Sequence, residues 1–155
     1  DPDAGFDAAM TTINVEPSGG NSVPALWSAG LAALWSVDQL PTAAGRIQRA
    51  LDATASLRGA WIDNVRASLR ASVAALEGRR EEALEGFSAA LKVWTAMQLP
   101  FDHAMTVGDA VTVLGADTLP PGAVAEAAAF LEGIGAGPLR ARLGTAVAAD
   151  AKVLF

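Results

Sequence analysis

The sequence predicts an all-α protein built of antiparallel helical hairpins, and three observations carry the prediction. Apolar residues recur at spacings of three and four through most of the chain, which is the period of one helix face. Prolines and glycines fall where those stripes begin and end, as helix starts and left-handed helix stops require. The composition agrees: 52% of the residues are hydrophobic and Tyr is absent. Much of the apolar content is alanine, the best helix former, while strand-favouring runs of Val, Ile and Thr are scarce. With 155 residues, one domain with a real core is expected.

Phe6, Met10 and Ile13 lie on one side of a short first helix, followed by a polar loop from Asn14 to Ser22. Ser18-Gly19-Gly20-Asn21 in that loop suggests a phosphate cradle, but no Gly-Lys-Ser/Thr follows, so an ordinary loop is the simpler reading. From Ser22 to Val37 the chain carries no charge. A membrane span needs about 20 apolar residues. This run is shorter, holds a proline and several serines, and reads as a buried helix that stops at Gln39-Leu40-Pro41. The next helix turns Ile47, Leu51 and Thr54 inward and Arg46, Arg49 and Asp52 outward, ending at Arg58-Gly59.

The most regular stretch runs from Trp61 to His103. Trp61, Val65, Leu69, Val73 and Leu76 form one stripe, with Asp63, Arg66, Arg70 and Glu77 opposite. Gly78 supplies a left-handed stop, and Glu81 and Glu82 suit the positive end of the following helix dipole. That helix aligns Ala83, Leu84, Phe87, Ala90, Leu91, Trp94 and Met97, and the short turn makes the pair antiparallel. A third helix spans Pro100 to Leu114, with Phe101, Ala104, Met105, Gly108, Val111 and Leu114 on one side. Its partner starts at Pro121 with Val124, Ala127, Ala128, Leu131 and Ile134. The last helix starts at Pro138, with Leu139, Leu143 and Val147 inward and Arg140 and Arg142 outward.

Ala67, Ala71 and Ala74, then Ala83, Phe87 and Ala90, resemble the small-and-aromatic pattern of the tetratricopeptide (TPR) repeat, whose unit is about 34 residues. The phrases EGRREEALEGFSAAL (Glu77–Leu91), LPFDHA (Leu99–Ala104) and FLEGIGAGPLRARL (Phe130–Leu143) resemble more closely the degenerate repeats of large actinobacterial regulators. These are the ATPase-containing LuxR or MalT type and the adenylate cyclases of like architecture. The resemblance covers about the last two thirds of the chain; with the helices counted above, it gives the expectation of a single TPR-like domain over 1–155, a right-handed superhelix with hairpins at 23–57, 58–98 and 100–135. A short helix and loop at 1–22 precede them and a helix at 138–150 follows. It further implies a cytoplasmic signalling or transcription-regulatory protein, in which this segment is an interaction scaffold and catalysis or DNA binding lies elsewhere. The first residue is Asp1 rather than Met, and the chain stops at Lys152–Phe155, so a fragment of a larger protein is expected.

The absence of Cys excludes a disulfide framework and a thiolate metal site and leaves the redox compartment open. A net charge of -6 argues against direct nucleic-acid contact, which needs clustered Lys and Arg. No cofactor, metal site or catalytic residue is expected. His103, the one histidine, has Asp102 beside it and Asp109 nearby, but neighbours in sequence do not face each other on a helix, and capping or a wet surface is the simpler role. Ser68, Ser72 and Ser88 lack a base, and Glu81-Glu82 is an exposed helix start.

Trp27, Trp35, Trp61 and Trp94 sit in apolar stripes and read first as core, although Trp61 and Trp94 are also candidates for a groove, with His103 beside them. Arg66 and Arg70, one turn apart, form a fork for a carboxylate or phosphate; the alternative is pairing with Asp63 on a solvated face. The function expected first is docking of a protein partner, or of a neighbouring domain of the same chain, in a concave face. The alternatives are a small-molecule effector sensor, a small helical enzyme using His103, and self-association through the uncharged helix.

Overall fold

The computed structural model describes residues 1–16, 20–35 and 37–150, apart from the side chains of Val37 and 145–150. The Ser18-Gly19 part of the loop motif, the inward side chain expected of Val147, and Lys152–Phe155 lie outside the described residues. Eight α-helices and no strand occur among them: α1 Pro2–Val15, α2 Ser22–Ala33, α3 Leu40–Ala53, α4 Ala60–Leu76, α5 Arg80–Ala96, α6 Pro100–Leu114, α7 Ala123–Gly133 and α8 Gly137–Asp150. Their contacts group into two compact units, Asp1–Ala83 and Leu84–Phe155. Among the described residues, no helix is long and apolar enough to cross a membrane.

In the first unit each helix packs on the next, α1 on α2, α2 on α3 and α3 on α4, with a further contact between α2 and α4. Asp1 caps α1 by accepting from the amides of Asp3 and Ala4 at 3.0 and 3.3 Å, which satisfies donors that a helix start leaves open. Phe6 and Ile13 are buried as the stripe requires. Arg46 is only half-exposed: it bonds Asp3 and lies over the Phe6 ring, 5.2 Å from its centroid. Gly30 is what lets α2 approach α4, since a Cβ there would lie 2.4 Å from Leu69 Cδ2.

Most of α4 is buried around its whole circumference. Val65, Leu69 and Val73 of the expected stripe are buried, and Ile62 joins them. The expected opposite face divides, because Asp63, Arg70 and Glu77 are exposed while Arg66 is 5% exposed. The helix ends as Leu76-Glu77-Gly78 predicts: Gly78 has φ 80°, its amide reaches the Ala75 carbonyl, and the Arg79 amide reaches that of Ala74 at 2.8 Å. Gly135 closes α7 with the same pair of bonds. At the end of α5 the left-handed position is held by Gln98, φ 57°, where a side chain is strained.

The core of the second unit gathers Leu91 of α5, Ala104, Val107 and Val111 of α6, Ala127 and Leu131 of α7, and Leu143 of α8. Helices α6, α7 and α8 all touch one another. One expectation about polar placement fails here. Arg142 is 8% exposed, not outward, and its Nη2 lies 3.3 Å from Oδ1 of Asp109, itself buried on α6. Arg140 does face out, pairing with Glu132 at 3.2 Å. The tryptophans also divide. Trp94 is core, and its Nε1 donates to Thr106 Oγ1 at 2.8 Å; Trp27 and Trp61 are half-buried; Trp35, expected inside, is 39% exposed.

Candidate functional site

Both units contain concavities with polar or charged groups in their walls. In the first unit, the end of α3, the connector after it and the first half of α4 enclose a pocket of about 440 Å³. Gln48, Leu51, Asp52, Ala55, Arg58, Asp63, Arg66 and Arg70 line it. Arg66 is brought in because α4 presents it toward the α3–α4 connector, where Nη1 donates to the Leu57 carbonyl at 2.7 Å. Nη2 is buried and has no hydrogen-bond partner among the described residues. Asp63 does not supply one, since its Oδ1 is 3.9 Å from Nη1.

Burial pushes the Arg66 guanidinium below its ordinary range, and the charges of Arg58 and Arg70 push it the same way, with Asp63 opposing. The group stays a cation at any physiological pH. Arg70, one turn on, is exposed at the pocket's edge, and Arg58 is held by the carbonyls of Ala55 and Leu57 at 2.5 and 2.7 Å. Asp52 Oδ1 accepts from Gln48 Nε2 at 2.8 Å.

The second unit holds a larger cleft of about 850 Å³. Phe87 and Leu91 from α5, Leu114 at the end of α6, and Leu119 to Pro121 in the α6–α7 connector give it apolar walls. Lys92, His103 and Glu126 add charge and polarity. Beside it is a cavity of about 310 Å³ lined by Trp94, Gln98, Leu99, Phe130 and others. Thr95, His103 and Glu126 belong to both.

His103 therefore sits where the two hollows adjoin. Burial lowers its pKa from 6.5, and the Glu126 carboxylate partly offsets that. Its carboxylate neighbour is thus Glu126, from α7, rather than the acids near it in sequence. Asp102 is buried, and Asp109 is engaged with Arg142. Asp109 is held above its ordinary range by burial, which outweighs the attraction of Arg142.

The five residues singled out by sequence are divided between the two units. Arg66 and Arg70 meet in the first unit's pocket, and Trp94 and His103 meet in the smaller cavity of the second. Trp61 lines neither; it stacks edge-to-face on Trp27 at 6.0 Å, a packing contact. Sequence reasoning missed Arg58, which it read only as a helix end, and also Asp52, Lys92 and Glu126. Each of these lies on a different element from the sequence-predicted residues that share its pocket, so the spacing within one helix carries no signal for that meeting. Among the described residues, no cluster of three or more His, Asp or Glu side chains is placed to hold a metal ion. Compared with protein-family models, with curated proteins and with solved structures, the chain matches none.

Proposed function

We propose that the chain is a helical binding module whose second unit receives a short apolar segment of a protein partner or of a neighbouring domain. The observation that carries this reading is the 850 Å³ cleft walled by Phe87, Leu91, Leu114 and Leu119. Its volume takes a short segment with several apolar side chains, and Lys92 and Glu126 at opposite charge can fix the orientation of a backbone or polar flank. In this reading the hairpins belong to a right-handed TPR-like superhelix, and the chain serves a cytoplasmic signalling or transcription-regulatory protein of the LuxR, MalT or cyclase type. The packing of consecutive helices within each unit supports the hairpin part of it.

Panning random peptides against the chain tests the proposal. Enriched peptides are expected to share an apolar anchor and to lose affinity about tenfold or more on Leu119→Asp, the loss of about one buried side chain's transfer energy. No enrichment, or binding indifferent to Leu119→Asp, refutes it.

A second reading, a small-molecule effector site in the same cleft, draws on the adjoining 310 Å³ cavity and the shared His103 and Glu126. A metabolite that raises the unfolding temperature of the parent but not of Glu126→Gln separates it from peptide docking.

A further inference from the structure

The first unit's pocket is chemically unlike the cleft above. Its walls carry three guanidinium groups, from Arg58, Arg66 and Arg70, against two carboxylates, from Asp52 and Asp63. One positive charge is left over, inside a chain whose formal net charge is -6. Surface arginines normally keep their heads in water; Arg66 is instead 5% exposed with one nitrogen satisfied by Leu57 and the other by no described residue. A buried polar group without a partner calls for an explanation, and an anion lodged beside it is one. The nearest acid does not provide it, since Asp63 is 3.9 Å from Nη1 and does not reach Nη2 as a hydrogen-bond acceptor.

We propose that this pocket binds the carboxylate of a small molecule, gripped by Arg58, Arg66 and Arg70, with Asp52 accepting from a donor group on the same molecule. Forked guanidiniums match the two oxygens of a carboxylate, and a charge of minus one neutralises the surplus in the pocket. A phosphate dianion fits the fork equally but overshoots the pocket's surplus by one negative charge. Asp52 has spare capacity: a carboxylate offers about four lone-pair sites, and Gln48 uses one. The rim is open, because Gln48, Asp52, Arg58, Asp63 and Arg70 are all exposed. The volume of about 440 Å³ takes a compact metabolite such as an amino acid or hydroxy acid. The site shares no lining residue with the cleft in the second unit and stands or falls apart from it.

The test uses the full chain labelled for NMR, with acetate, lactate, L-alanine and inorganic phosphate as probes, each titrated at constant ionic strength against sodium chloride. Saturable shifts of the Arg66 Nε–H and of the backbone amides from Ala55 to Arg58 are expected with lactate and alanine, tighter than with acetate. Arg58→Gln with Arg70→Gln is expected to weaken binding about tenfold or more, as lost charge-assisted forks do. Both residues are exposed, so helix content should hold, and an unfolding midpoint measured on the double variant beside the titration separates lost binding from a loosened connector. Shifts that remain linear through the millimolar range, that chloride reproduces, or that the double variant leaves unchanged overturn the site. Phosphate binding more tightly than every carboxylate overturns the assignment of the ligand.

Discussion

Removing Arg142 is the perturbation whose size the structure fixes most closely. Its guanidinium lies 3.3 Å from the Asp109 carboxylate, with the two side chains 8% and 5% exposed. At that distance and an effective dielectric near 20 the attraction is about 5 kcal/mol, while desolvating each ion costs several. Burial wins over the attraction at Asp109, whose pKa is raised above 3.8 despite the arginine. The pair is thus close to balanced, and breaking it is not. Arg142→Met leaves a buried carboxylate alone and should cost about 3–5 kcal/mol at neutral pH.

The sign with pH follows from the same shift. A raised carboxyl contributes its full stability below the unfolded pKa and loses it as pH rises through the folded one. Without Arg142 the folded value rises further, so the variant should recover stability on acidification from pH 7, at up to about 1.4 kcal/mol per pH unit. Asp109→Leu combined with Arg142→Met should return to within about 1 kcal/mol of the parent. Urea unfolding across this pH range, followed by tryptophan fluorescence, reads all three. A cost below about 1 kcal/mol for Arg142→Met, with the parent's pH slope, would refute the buried-pair argument.

Two further outcomes follow from geometry. Since His103 is the chain's one histidine, its ring protons titrate alone in NMR. They should report a pKa below 6.5, and Glu126→Gln should lower it again by removing the carboxylate that offsets burial. Because the folded value is the depressed one, stability should fall as pH drops below 6.5 toward it, and His103→Gln should flatten that part of the profile; an unshifted titration refutes this. At Gly30, alanine gains about 1 kcal/mol of helix propensity but meets Leu69 at 2.4 Å, and overpacking of that kind costs about 1–3 kcal/mol. Gly30→Ala should therefore destabilise, and Gly30→Val more so; a rise in the urea midpoint for Gly30→Ala would show that the Leu69 side chain gives way at little cost and would refute the close-approach argument.

The helices were legible because their determinants are local. The stretch from Pro100 to Leu114 is bounded by a proline at its start and by Gly115, φ 91°, at its end, and the structure places α6 over those residues. Gly78 is likewise dictated by a left-handed turn that its own flanking residues form. Gln98 marks the limit of this logic. It occupies the same left-handed position without being glycine, so the stop at Leu99-Pro100 was readable and the strained residue just before it was not.

What the sequence hid is which charged residues lie inside. On the α4 wheel Arg66 falls with Asp63 and Arg70, and on α8 Arg142 falls near Arg140; by spacing alone both belong to solvated faces. Their burial depends on acceptors from other elements: the Leu57 carbonyl in a connector for Arg66, and Asp109 on α6 for Arg142. A one-helix pattern holds no information about those acceptors, since pairing partners 9 and 33 residues away are set by packing. The same reasoning explains why the acid facing His103 is Glu126 and not Asp102. Adjacent residues on a helix point about 100° apart, whereas α7 packs its own face against α6. For Arg66 and Arg142 alike, the group that makes burial tolerable comes from another segment, which is why a single helix's pattern could not reveal either.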